Sequence, residues 1–193
     1  MIGVLWIVRQ REALESNCSE EDGDSGPILT MAPILFLSRR MTARPALRSP
    51  PELTIRNWRG DTDIAAWLAL HRAAFPAPRP ELRQWEEGDL RRELLSRSAW
   101  SADRTWFALD PEADQPIGMI SLLPRAGEPA DQAHLQWLVV APAWRRRGIA
   151  RQLLVTAEQA AWEAGYRVLA LETLSAWKDA VAFYEANGYR PRP

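Results

Sequence analysis

The chain has 193 residues, 47% of them hydrophobic and 25% charged, with 24 basic against 25 acidic side chains, a formal net charge of −1 and a single cysteine. This balance suits one soluble globular unit with a good core and makes no electrostatic case for nucleic acid as a partner. Cys18 alone excludes an internal disulfide framework and a thiolate metal site, and His71 and His134 stand in no metal-binding spacing, so no metal is expected.

The first fifty residues read differently from the rest. The opening MIGVLWIV is apolar but only eight residues long, has no basic leader and runs into Arg9-Gln10-Arg11-Glu12. It therefore fits neither a signal peptide nor a membrane span, although a short surface helix stays open, and a cytoplasmic protein with no membrane partner is expected. Residues 16–26 are acidic and polar, and 38–51 are rich in arginine and proline, compositions that favour a disordered linker. The expected division is a poorly structured extension over 1–51 and one folded domain over 52–193, with Met31 and Met41 leaving open a later start.

The domain should begin with a strand over 52–58. Asp61 is a good N-cap for a helix on which Ile64, Trp67, Leu68, His71 and Phe75 share a face. On that face His71 reads as a packed core residue before it reads as a catalyst. A proline-studded loop over 76–80 leads to a second helical stretch over 81–95, interrupted near Gly88, and residues 105–109 and 117–123 read as a hairpin. Glu81, Glu86, Glu87 and Asp89 read most simply as a solvated helix face. The ten tryptophans are scattered, which suits core and pocket lining rather than a binding stripe.

The most specific stretch is LQWLVVAPAWRRRGIARQLL, residues 135–154. Leu135 to Val140 is apolar apart from Gln136, as in a strand covered on both faces, and Pro142 should stop it. From Ile149 the apolar residues recur at helical spacing up to Ala164, and Gly165 supplies the stop. Between the two, Arg145-Arg146-Arg147-Gly148-Ile149-Ala150 combines arginine forks, a residue without a side chain and the unpaired N–H groups of a helix start, which together suit a diphosphate. The plain alternative is a βα turn with a solvated arginine run. Residues 167–172 then read as a short buried strand, so that strand, helix and strand form a right-handed parallel crossover. A last helix over 176–186 closes on Asn187-Gly188.

These residues resemble the acyl-CoA signature of the GCN5-related N-acetyltransferases (GNAT), V-x-P-x-x-[QR]-x-x-G-x-[GA], met at Val140, Pro142, Arg145, Gly148 and Ala150. The stretch Ala180 to Tyr189 is similar to the family's A-x-x-[LF]-Y-x-x-x-G-[FY] ending. The resemblance implies an α/β fold with a mixed, mostly antiparallel sheet flanked by helices and a parallel βαβ crossover at the cofactor site. It also implies acetyl-CoA as co-substrate, its pyrophosphate wrapped by Arg145, Arg146, Arg147, Gly148, Ile149 and Ala150, and its pantetheine arm along Leu138, Val139 and Val140. Tyr184 takes the role of proton donor to the departing thiolate, with a core aromatic as the bland reading of the same residue. For the base, Glu172 and His134 are both candidates, against a helix-flanking charge and a strand-edge polar residue. In the family the region after the first strand shapes the acceptor site, where Glu81, Glu86, Glu87 and Asp89 could attract a cationic amine.

The implied activity is transfer of acetyl from acetyl-CoA to a primary amine by direct attack in a ternary complex, the acceptor being a small-molecule amine or a protein or peptide amine. A non-catalytic CoA-binding regulatory or interaction module on the same fold is the alternative. Two positions depart from the family pattern. Trp177 stands where an asparagine often contacts the cofactor, and the chain runs only four residues past Tyr189. The last sheet edge should then be missing or come from a partner subunit, which keeps a homodimer open.

Overall fold

The computed structural model describes residues 33–46, 53–75 and 84–192. In chain order these form β1 (Ile34–Arg40), β2 (Ile55–Asn57), α1 (Thr62–Ala74), α2 (Glu87–Leu90) continued by a π-helical turn (Arg91–Leu95), β3 (Thr105–Leu109), β4 (Pro116–Pro124), β5 (Gln132–Val140), α3 (Ile149–Glu163), β6 (Val168–Leu174), α4 (Lys178–Ala186) and β7 (Arg190–Pro191). They build one seven-stranded sheet in the order β2-β3-β4-β5-β6-β1-β7. Every pairing is antiparallel except β5 with β6, which α3 joins as a crossover. The expected mixed sheet with one parallel crossover is therefore present.

Side-chain alternation splits the core into two layers. On one face α3 buries Ile149, Leu153, Leu154, Ala157 and Ala161 against Ile120, Leu122, Leu135 and Leu171 of the sheet. It approaches so closely that a Cβ on Gly118 would lie 3.0 Å from both Leu153 Cδ1 and the Val139 carbonyl oxygen. On the other face α1 and the α2 segment bury Ile64, Trp67, Leu68, Leu90 and Leu94 against Phe107, Met119, Leu123 and Val139. The α1 stripe read from periodicity is thus the buried one.

The start of α1 differs from expectation. Asp61 makes no side-chain cap and instead accepts from Arg91 Nη2 at 2.8 Å. Asp63 ties the helix to β2, accepting both arms of the Arg56 fork at 2.7 and 2.8 Å and the Arg59 N–H at 2.6 Å. Gly88 lies inside α2 rather than breaking it, and residues 76–83 are outside the described ones.

The boundary expected after residue 51 also falls elsewhere. Residues 34–40 are not linker but β1, paired with β6 from Ile34↔Leu174 to Arg40↔Val168, with Leu37 fully buried. β7 adds beyond it through Leu37↔Pro191 and Ser38↔Arg190. The sheet edge expected to be absent or partner-supplied is therefore completed by the chain's own N-terminal strand. Composition misled because Arg39 is charged yet folded in: its Nη1 donates to Glu158 Oε1 at 2.6 Å, and Glu158 is 0% exposed. The apolar opening segment, residues 16–26 and 47–51 lie outside the described residues.

Candidate active site

The site originates in a fault between β4 and β5. Met119 pairs with Val139 and Ser121 with Gln136, so Ile120 alone faces both Trp137 and Leu138. Trp137 takes up the extra residue at φ +58°, a left-handed conformation uncommon for a bulky side chain. A bulge bends its strand and increases local twist. Beyond it β5 leaves β6: their parallel register runs from Gln132↔Val168 to His134↔Ala170 and goes no further. The gap opens into a cleft of about 1080 Å³.

One end of the cleft is the basic turn. After a 3₁₀ turn at Pro142–Trp144, Arg146 lies at φ +64° and Gly148, the N-cap of α3, at φ +79°. A Cβ on Gly148 would meet nothing within 4 Å, so backbone conformation selects the glycine here. Left-handed residues at a helix start gather N–H groups into a concave, positively polarised surface suited to an anion. Arg145, Arg146, Gly148, Ile149 and Ala150 line the cleft, as do Leu138, Val139 and Val140 along its wall. Arg147 does not line it; its guanidinium lies 4.7 Å over the Trp144 ring.

Tyr184, Glu172 and His134 all line the same cleft. Tyr184 packs edge-on against Phe183 at 5.4 Å and Tyr189 at 5.7 Å, and burial raises its phenol above the ordinary value. Glu172 accepts from Arg125 Nη2 at 2.7 Å in an ion pair whose side chains are each only 7% exposed. His134 is buried, its Nε2 lying 3.2 Å from the Gln132 amide nitrogen. Desolvation, with Arg125 and Arg192 nearby, pulls its pKa down to about 3, so the ring is neutral at pH 7.

With this geometry in place, comparison with known proteins assigns the chain. Residues 64–189 match the model of the Acetyltransferase (GNAT) family. The chain belongs to this family. It is 28% identical over 118 residues to the uncharacterised N-acetyltransferase YjgM of Escherichia coli (strain K12), covering 51% of this chain and 71% of that one. The crystal structure of a GCN5-related N-acetyltransferase from Sphaerobacter thermophilus superposes with a TM-score of 0.68 at 19% identity, covering 84% of this chain and 49% of that one. An aminoglycoside N-acetyltransferase solved in complex with CoA superposes at 0.55 with 18% identity, covering 74% of this chain and 91% of that one. The chain thus spans about half of the Sphaerobacter protein.

As a GNAT acetyltransferase it departs from the family pattern at Trp177, and the structure gives that residue a place. Trp177 precedes α4, lines the cleft and stacks on Phe75 from the end of α1, ring centroids 5.3 Å apart at 26°. The acidic residues considered for the acceptor serve local structure instead. Glu86 and Asp89 close a capping box, Glu87 accepts from Arg91 at 2.8 Å, and none of the three lines the cleft; Glu81 is outside the described residues. Sequence reasoning missed Arg125 and the conformation of Trp137. Arg125 follows β4 in a Gly- and Pro-containing turn that resembles any solvated loop, and nothing in the residue type of Trp137 signals a left-handed backbone. Among the described residues no group of three or more His, Cys, Asp or Glu could hold a metal ion, and no helix is long and apolar enough to cross a membrane.

Proposed function

We propose that this acetyltransferase moves the acetyl group of acetyl-CoA to a primary amine by direct attack within a ternary complex. The observation that carries the reading is the single cleft formed where β5 parts from β6, into which the basic turn, the bulged strand, Tyr184 and Glu172 all open. The turn before α3 receives the pyrophosphate, and the strand edge freed at Leu138 to Val140 pairs with the pantetheine arm. A backbone N–H at Leu138 polarises the thioester carbonyl.

The amine nitrogen attacks the thioester carbon, the C–S bond breaks with its electrons on sulfur, and the nitrogen gives up a proton. Glu172 fits the base position better than His134. The His134 ring already accepts at Nε2 from Gln132 when neutral, and burial opposes its protonation. Tyr184 serves the leaving thiolate. Its hydroxyl makes no hydrogen bond among the described residues and so is open to a new partner. The raised phenol pKa makes complete transfer to a thiolate of ordinary pKa near roughly 8.5 uphill. The desolvation that raises the phenol also raises a thiol beside it, which narrows the gap between them.

The test is release of free thiol from acetyl-CoA with a panel of primary amines. The parent protein should release thiol with at least one amine. Tyr184→Phe should lose roughly 10²-fold in turnover while acetyl-CoA affinity and the thermal midpoint stay near the parent's. A folded, CoA-binding parent that releases no thiol with any amine would overturn the transfer reading, and full activity in the Phe variant would remove Tyr184 as the donor.

A further inference from the structure

Apart from the basic turn, the cleft lining has a composition of its own. Phe75 and Trp177, stacked together, and Trp137 at the bulge present half-buried aromatic faces. Among the described cleft residues the carboxylates are Glu172 and Asp179, against Arg125, Arg145, Arg146, Arg151 and Lys178. Three of those arginines belong to the turn and first turn of α3, where the phosphates are placed. Asp179 adjoins Lys178, and Glu172 is already joined to Arg125 at 2.7 Å. Among the described residues a polycationic acceptor would therefore find no surplus of negative charge to partner its extra ammonium groups.

Arg125 supplies the second observation. Its side chain is 93% buried in line with its 7% exposure, lines the cleft, and uses only Nη2 in a hydrogen bond among the described residues. The remaining guanidinium donors form a fork of the kind that binds carboxylates. A buried plus–minus pair with donors to spare is best matched by a ligand carrying the opposite pair side by side, which adds no net charge to the low-dielectric cleft.

Resting on the acetyl-transfer reading of this cleft, we infer that the acceptor is a zwitterionic amine with a flat apolar side chain, an aromatic α-amino acid in chemical class. Its carboxylate lies on Arg125, its amino group on Glu172, and its ring among Phe75, Trp137 and Trp177. Glu172 then holds the amino group at the site where it loses its proton, and the bond formed is the amide N–C bond of an N-acetyl amino acid, with sulfur leaving as before.

The experiment measures kcat/KM by thiol release with L-tryptophan, tryptamine, which lacks the carboxylate, and spermidine, a polycation, alongside acetyl-CoA affinity by calorimetry. L-tryptophan should exceed tryptamine by at least about tenfold and spermidine by more, because a site built around a carboxylate rejects analogues that lack one. Arg125→Lys keeps the charge but loses the fork; it should raise KM for L-tryptophan at least about tenfold, more than it lowers kcat, and shrink the preference over tryptamine, with acetyl-CoA still bound. Equal use of tryptamine, or turnover of spermidine without L-tryptophan, overturns the inference and leaves acetyl transfer standing. Thiol release with none of them or any other amine, despite acetyl-CoA binding, overturns both.

Discussion

His71 sits in an aromatic cluster with Trp67, Phe75, Trp85 and Trp137, of which Phe75 and Trp137 line the cleft. It is 0% exposed, stacks on Trp67 at 5.3 Å and 11°, and neither ring nitrogen has a hydrogen-bond partner among the described residues. Desolvation, helped by Arg72, lowers its pKa to about 4 from the ordinary 6.5. The unfolded chain takes up that proton near pH 6.5 while the folded one stays neutral until about pH 4, so acid favours unfolding. Stability from this residue is full above pH 6.5 and is lost on acidification by about 1.4 kcal/mol per pH unit. His71→Phe keeps the ring stack and removes the titration. Urea unfolding at pH 6.5 and 4.5 should therefore show the variant losing about 2 kcal/mol less than the parent over that interval. Equal losses would mean that His71 carries its proton inside the fold. Its helical spacing alone marked this residue as core. Arg125 was not legible in the same way, because its partner Glu172 lies 47 residues further on and no local pattern joins them.

Among elements, the turn into α3 was the most legible because each of its parts is a local constraint. Pro142 ends a strand, Gly148 permits φ +79°, and helical periodicity starts at Ile149. Gly148 is exposed, so a side chain there disturbs little packing, but the left-handed conformation costs about 1 kcal/mol or more for other residues. Gly148→Glu should weaken acetyl-CoA binding at least about tenfold, or about 1.4 kcal/mol, by placing a bulky anion in the concave N–H surface, while the fold survives. Calorimetry giving equal affinities would remove the pyrophosphate from this turn. Elements held by distant partners were harder to read. β2 is three residues long and owes its place to β3 and to the Arg56–Asp63 fork, so its sequence carries little alternation of its own. β1 contains Ser38-Arg39-Arg40, which reads as linker until Glu158 is known to meet Arg39.

For the whole molecule, β1 is the first described element and an inner strand of the sheet. It lies between β6 and β7, so its loss would strip one edge of β6, which forms a wall of the cleft, and leave β7 without a partner. Losing Leu37 from the core costs on the order of 2–5 kcal/mol. Withdrawing Arg39 from fully buried Glu158, which keeps the Tyr189 hydroxyl as a donor at 3.1 Å, adds roughly 1.5–3 kcal/mol. Together these approach the roughly 5–15 kcal/mol that holds a domain folded. A protein lacking residues 1–46 should accordingly show no cooperative melting transition by circular dichroism near the parent's midpoint. A truncated chain that melts like the parent would show that β1 is dispensable.

The same strand has a history during synthesis. Arg39 is made 119 residues before Glu158, and β6 comes later still. At ordinary elongation rates the nascent Ile-Leu-Phe-Leu run would wait roughly ten seconds for its partner strand, an unpaired apolar segment of the kind that aggregates. Arg39 and Arg40, after the intervening Ser38, add the charge that discourages such pairing. The two arginines that disguise this strand in the sequence thus place charge beside an apolar run while it is unpaired, and both end in ion pairs, Arg39 with Glu158 and Arg40 with Asp131.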